Sequence, residues 1–243
     1  MKIFDQDPTD WRDLQNLVAQ MFAEMGCTAE VGVKVSLVRG NKEIDVFVED
    51  PAAAPPHRYL VECKLWKSRV SQETVHAFRT VVADCGAHRG YIVSSSGFQS
   101  GAYEAAQRTN VDLVTFDQLQ QLLFDRWKAS IGALHMPFAD RLFPYWDPMG
   151  GKRPPSHWGD AEREQLHLLN DAYAPFLDLG PTVAHCGYSL DHLLPMTLPI
   201  LSDDLKVVGE LSIQTYRQFY DFIYANRDVA LARYASLFAE RPQ

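Results

Sequence analysis

Residues 59–66, Tyr-Leu-Val-Glu-Cys-Lys-Leu-Trp, constrain this chain more than any other stretch. Aromatic, β-branched and apolar residues make the segment a strand. Strand alternation then sets Tyr59, Val61 and Cys63 on one face, and Leu60, Glu62 and Lys64 on the other. A strand this apolar belongs inside a sheet, where a Glu and a Lys on one face need partners. The strand before it, Glu43–Glu49, offers one. Ile44, Val46 and Val48 point to a core, so Asp45 points the other way, with Glu43 and Phe47. If the two strands pair, Asp45, Glu62 and Lys64 converge on one side of a sheet near the strand ends. Two carboxylates that close repel each other unless a cation lies between them. Oxygen ligands suit a hard ion such as Mg²⁺, Mn²⁺ or Ca²⁺. A neighbouring Lys stabilises developing negative charge or orients a metal-bound water. Metal, water and Lys together suit phosphodiester hydrolysis. On spacing alone, an Asp followed by Glu-x-Lys more often marks a surface strand with an exposed ion pair of little worth. The apolar setting and the order of the surrounding elements argue against that here.

That order reads α-β-β-β-α-β-α-β-α. The spacing predicts a helix over 9–26, capped by Thr9 and ended by Gly26, with Trp11, Leu14, Val18, Met21, Phe22 and Met25 on one face. A hairpin follows: Val31, Val33, Val35 and Leu37 alternate, and residues 39–42 carry turn chemistry. Prolines make 50–57 a loop. Ser71 caps a helix to Ala83 with Val75, Phe78 and Val82 buried. Tyr91–Val93 is a short strand, residues 100–109 a helix of small residues and Val111–Phe116 a last strand. Asp117 then caps a helix carrying Leu119, Leu122, Leu123 and Trp127. The expectation is an α/β fold, a mixed sheet flanked by helices.

The sequence here resembles the PD-(D/E)xK nuclease superfamily, specifically the Mrr-like restriction endonuclease domain. The matching stretches are Trp11–Val18 with Met25-Gly26, Glu43–Val46 and Val61–Lys64. Val70, Val75 and Phe78, then Tyr91–Phe98, Ala102, Ala105-Ala106 and Val111–Leu113, complete the match. The likeness covers roughly residues 9–125. It implies a restriction-endonuclease-like fold and Mg²⁺-dependent cleavage of DNA, with Mn²⁺ as a substitute. Asp45 and Glu62 would hold the metal with the backbone carbonyl of Cys63, and Lys64 would position water or stabilise the transition state. Gln15 stands where members often carry a Glu on the first helix. An amide is a weaker ligand for a hard cation, which leaves open whether one metal or two are held. Lys42-Glu43-Ile44-Asp45 replaces the family's Gly-Gly-Ile-Asp, and Glu43 shares the Asp45 face.

The expected boundary lies at 133/134. Residues 1–133 form the nuclease domain and residues 134–243 a mainly helical appendage that regulates, dimerises or binds a partner. Five prolines, a Gly-Gly pair and two tryptophans make 136–159 read as an irregular connection. Helices are expected at about 160–173, 212–225 and 228–239. The aromatics Tyr216, Phe219, Tyr220, Phe222, Tyr224 and Tyr234 read as a small helical core, with an interface as the sharper alternative. The formal charge of −8 denies the chain a basic footprint as a whole. Up to residue 130, 14 Lys and Arg stand against 17 Asp and Glu, the milder balance toward a polyanion. No run is long enough to span a membrane, and no apolar leader opens the chain. Four scattered cysteines with no CxxC fit reduced thiols and a cytoplasmic setting.

The remaining polar residues divide between function and structure. Lys67 and Arg69 follow the candidate catalytic strand and suit phosphate contacts as well as a solvated loop. Gln72 opens the next helix, near substrate or merely in a cap turn. Ser94, Ser95 and Ser96 sit at a strand-to-helix turn, where hydroxyls can donate to phosphate or simply close the turn. His57, His76 and His88 lack ligand-spaced partners, and His185-Cys186 alone makes no nucleophile–base pair. The leading expectation is a metal-dependent DNA endonuclease of restriction or defence type. The alternatives are a catalytically weak nuclease-like DNA-binding subunit of a larger assembly, or a nuclease held off by residues 134–243 until a partner or signal arrives.

Overall fold

The hairpin at 28–50 and the strand after it assemble into one antiparallel meander, on which two crossover units are laid. The structure is a computed structural model that describes residues 2–38, 40–146, 151–179 and 190–239. It packs as two units, Met1–Ser130 and Ile131–Gln243.

In the first unit, β1 (Thr28–Leu37), β2 (Gly40–Asp50), β3 (His57–Lys64), β4 (Arg89–Ser94) and β5 (Val111–Val114) form a sheet in sequence order. The pairs β1–β2 and β2–β3 are antiparallel, and β3–β4 and β4–β5 are parallel. Parallel neighbours need crossovers, supplied by α2 (Gln72–Asp84) and α3 (Ser100–Ala106). These two helices cover one face, where Leu60, Val75, Phe78, Val82, Ile92 and Ala102 are buried together. Gly90 lets α2 approach: a Cβ there would stand 2.6 Å from Val82 Cγ2 and 2.8 Å from Phe78 Cε1. The other face meets α1 (Trp11–Glu24), whose Phe22 packs against Tyr59 and Tyr91.

Two helix starts differ from expectation. Asp10, not Thr9, caps α1: its Oδ1 accepts the N–H groups of Arg12 (2.8 Å) and Asp13 (2.9 Å). Thr9 instead donates to the Asp13 carboxylate. Thr115, not Asp117, begins α4 (Phe116–Trp146): Gln118 N–H donates to its hydroxyl, and Thr115 N–H to the Gln118 amide oxygen. Trp11 does not join the apolar stripe of α1; it is 53% exposed, and Gln15 is buried beside Leu14.

The larger correction is the length of α4. It runs on through Pro137 and Pro144 to Trp146, where an irregular connection was expected. Each proline removes one helical N–H donor. Ile131, His135, Ala139 and Leu142 nevertheless keep a buried stripe at helical spacing, and packing outweighs propensity. The second unit also holds α5 (Asp160–Ala172), the short α6 (Ala174–Asp178), a 3₁₀ turn at Leu190–His192 and α7 (Tyr216–Leu237). The two helices expected at 212–225 and 228–239 are thus one. Phe219, Ile223, Ala230 and Tyr234 carry its buried stripe past Asn226, whose amide donates back to Phe222 O. Tyr216, Phe219, Tyr220 and Tyr234 are core, whereas Tyr224 is 57% exposed. A hairpin of β6 (Met196–Leu201) and β7 (Val207–Ile213) was not expected at all. Pro199 masks its first strand, yet both strands of a two-stranded sheet are edges, where proline is tolerated. No described helix is long and apolar enough to cross a membrane.

Candidate active site

The site begins where β2 and β3 part. Their ladder runs from Asp50↔His57 to Val46↔Val61, and no pair is formed beyond it. There the Asp45 side chain takes the place of a backbone acceptor: Cys63 N–H donates to Asp45 Oδ2 at 2.7 Å. Glu62 and Lys64 lie at the C-terminal end of β3, paired with Ile92 and Ser94 of β4. Lys64 Nζ donates to Glu62 Oε1 at 2.5 Å, and Lys42 Nζ stands 3.9 Å from the same oxygen. The structure therefore gathers Asp45, Glu62 and Lys64, as the alternation of the two strands predicts. Lys42 joins them without having been singled out. Its residue type carries no signal.

Glu62 is 8% exposed, and the Lys64 side chain 14%. Glu62 Oε2 is buried with no hydrogen-bond partner. Leaving a carboxylate oxygen so is costly, because an ionised acceptor out of water needs a compensating charge or donor. Burial raises the Asp45 pKa above the ordinary carboxylate range. The Cys63 N–H opposes that rise, the Glu62 charge adds to it, and Lys64 and Lys42 pull it back. The Cys63 thiol is pushed up by burial and by both carboxylates, so it stays protonated. Its side chain is on the far face from Glu62 and Lys64, which limits Cys63 to a main-chain role.

An orphaned buried carboxylate oxygen beside a desolvated aspartate fits a divalent cation. Among the described residues, no group of three Asp, Glu, His or Cys side chains forms a metal cage. Two carboxylates would thus depend on a main-chain carbonyl and water for the remaining ligands, as hard cations commonly do.

Trp66 was also missed. Its half-exposed ring lies under the Lys64 ammonium, 4.9 Å from ring centroid to Nζ. The serines explain its placement. Ser95 Oγ donates to Trp66 O at 3.1 Å, and Ser96 Oγ donates to the same carbonyl. Ser95 N–H meets Lys64 O at 3.1 Å, and Ser94 Oγ meets Gly97 O. These hydroxyls close the turn. Lys67 and Arg69 are exposed on the loop after β3. Gln72 turns to His76 (3.2 Å) and lies against Gly101. Gln15 is buried on α1. His57 and His88 stack at 4.4 Å, and His88 Nδ1 accepts Arg58 N–H, a structural use of both rings. His185 and Cys186 lie outside the described residues.

Residues 7–123 match the family model Mrr_cat, described as restriction endonuclease. This segment, a little under half of the chain, is similar to restriction endonucleases of the Mrr type. A crystal structure titled as a protein of unknown function, AF1548, aligns with 48% of this chain and 67% of its own. The identity is 20% and the TM-score 0.41. No curated protein matches the chain. The matched segment holds all of Asp45, Glu62, Lys64, Lys42 and Trp66.

Proposed function

We propose that residues 7–123 form an Mrr-type domain that is a divalent-metal-dependent DNA endonuclease of restriction type, with Mg²⁺ the natural ion and Mn²⁺ a substitute. The observation that carries this reading is the buried, unpartnered Glu62 Oε2 beside Asp45 and Lys64. Asp45 and Glu62 would hold the cation together with the Cys63 main-chain carbonyl. When bound, a divalent cation supplies Lewis acidity to the phosphoryl group and to an attacking water. Lys64 offers a fixed ammonium with donors beyond the one it gives Glu62, suited to charge developing on a phosphoryl oxygen. Trp66 holds that ammonium from below, and the Ser95 and Ser96 hydroxyls hold Trp66. Lys67 and Arg69 extend positive charge along the path of a nucleic-acid backbone. For a dimer or partner contact we look to the second unit, where Ile200, Val207 and Val208 of the β6–β7 hairpin are exposed.

The test is cleavage of supercoiled plasmid with Mg²⁺ or Mn²⁺, beside Lys64→Ala and Asp45→Asn at matched folding. Nicking or linearisation by the native chain, reduced at least 10²-fold or so in both variants, is expected. Equal cleavage by native chain and variants would sink the assignment of the site.

A further inference from the structure

A second cluster of positive charge lies in the same domain, away from the residues just described. An open cleft of about 670 Å³ is lined by His76, Arg79 and Thr80 of α2 and by Arg108, Thr109 and Asn110 of the turn into β5. Three other arginines of this unit are neutralised: Arg58 pairs with Glu49, Arg89 with Asp112 and Arg126 with Asp50. Arg79 and Arg108 have no carboxylate within ion-pair distance among the described residues, in a chain whose net charge is −8.

The cleft is also partly built. Arg79 Nη1 donates to Ala105 O at 3.1 Å and lies 3.4 Å from His76 Nδ1. That fixes the guanidinium at the end of α3 and leaves most of its N–H donors uncommitted. Arg108 has φ +56°, the left-handed region that a long side chain seldom occupies and that Gly or Asn would take more easily. The neighbouring polar groups are already spoken for as donors. Thr80 Oγ1 bonds His76 O, Thr109 Oγ1 bonds Ala106 O, and the Asn110 amide bonds Ala87 O and His88 O. The free donors of the cleft are therefore two planar guanidinium forks. One fork suffices for a carboxylate; two facing one open cleft suit the several oxygens and higher charge of a phosphate.

We infer that the cleft formed by His76, Arg79 and Arg108 is a phosphate-binding site, separate from the Asp45–Glu62–Lys64 centre. The phosphate comes either from a nucleic-acid backbone running over α2 or from a free nucleotide. The inference stands on the cleft alone and does not require that the domain cleave DNA.

The full chain, without divalent metal, is titrated with inorganic phosphate, with a deoxynucleoside monophosphate and with a short DNA duplex. The His76 ring resonances are followed by NMR and assigned through His76→Gln. Arg79→Gln combined with Arg108→Asn is titrated in parallel, and asparagine suits the left-handed φ. If this pair does not fold, Arg108→Asn alone carries the comparison. His76 movement with phosphate and mononucleotide, lost on arginine replacement, is expected for a free-nucleotide source. Movement with duplex alone is expected for a backbone source. In that case, the slope of log affinity against log salt falls by about 1 per arginine removed. His76 resonances unmoved by all three ligands, or moved equally in the arginine variants, would overturn the inference whether or not the native chain cleaves plasmid.

Discussion

Asp45 meets two demands at once: it closes the β2–β3 ladder through Cys63 N–H, and it is held, partly desolvated, near a second carboxylate. Its pKa is raised in the folded state, so between the unfolded value near 3.9 and the folded value the folded chain binds more protons. Stability must then fall as pH rises through that window. In the absence of divalent metal, Asp45→Asn should be the more stable chain at pH 7, by a degree or more in Tm, with the difference vanishing below about pH 4. Mg²⁺ should raise the Tm of the native chain and leave Asp45→Asn unmoved. Scanning calorimetry at several pH values checks both; parallel pH profiles for the two proteins would contradict the argument. At this scale, strand alternation made the convergence of Asp45, Glu62 and Lys64 readable from sequence. Lys42 and Trp66 were not readable, because a lysine near a turn and a tryptophan after a strand look the same wherever they occur.

Side-chain hydrogen bonds across long stretches of sequence add to the strand ladders and the apolar core in tying the elements together. Asp50, at the end of β2, takes two bonds from Arg126 of α4 (2.6 and 2.9 Å) and one from the Tyr59 hydroxyl (3.1 Å). The Arg126 guanidinium holds the Asp50 carboxyl down at about 2. A depressed carboxyl pKa gives stability that is present above about pH 4 and is lost as pH falls toward 2. Arg126→Leu leaves Asp50 buried without its cation and should cost about 2 kcal/mol at pH 7, a modest figure because Arg126 is itself partly exposed. Denaturant unfolding should show that loss shrinking as pH approaches 2; a constant loss down to that pH would refute it. Element identity was clear in the sequence wherever one periodicity ruled, as in α1, α2, β2 and β3. It failed where local punctuation and packing disagreed. Pro137 and Pro144 read as breaks and are carried inside α4, Asn226 sits within α7, and Pro199 hid a strand.

For the molecule as a whole, charge is the governing quantity. A net charge of −8 repels a polyanion, and the groups that oppose this repulsion are local: Lys42, Lys64, Lys67 and Arg69 near the candidate centre, and Arg79 and Arg108 in the cleft. A cation held by Asp45 and Glu62 would invert the sign at the centre. Binding of duplex DNA should therefore tighten on the order of tenfold when Ca²⁺ replaces an equal ionic strength of Na⁺, and Asp45→Asn should lose most of that gain. Fluorescence anisotropy of a labelled duplex measures it, and an equal gain in the variant would place the effect elsewhere. Composition forecast the overall sign of the charge. It had no means of forecasting its distribution, which depends on which arginines find carboxylates.

The parting of β2 from β3 at Val46↔Val61 has a consequence for how such a domain can diverge. Because Asp45 occupies the place of a missing rung, the alignment of two strands and the placement of a reactive carboxylate are one specification. A change that slid β2 along β3 would not yield a displaced centre that selection could refine. It would remove the centre and leave Cys63 N–H without an acceptor. Insertions and exchanges are thus channelled to the loop at 51–56, where sequence can drift without touching that rung.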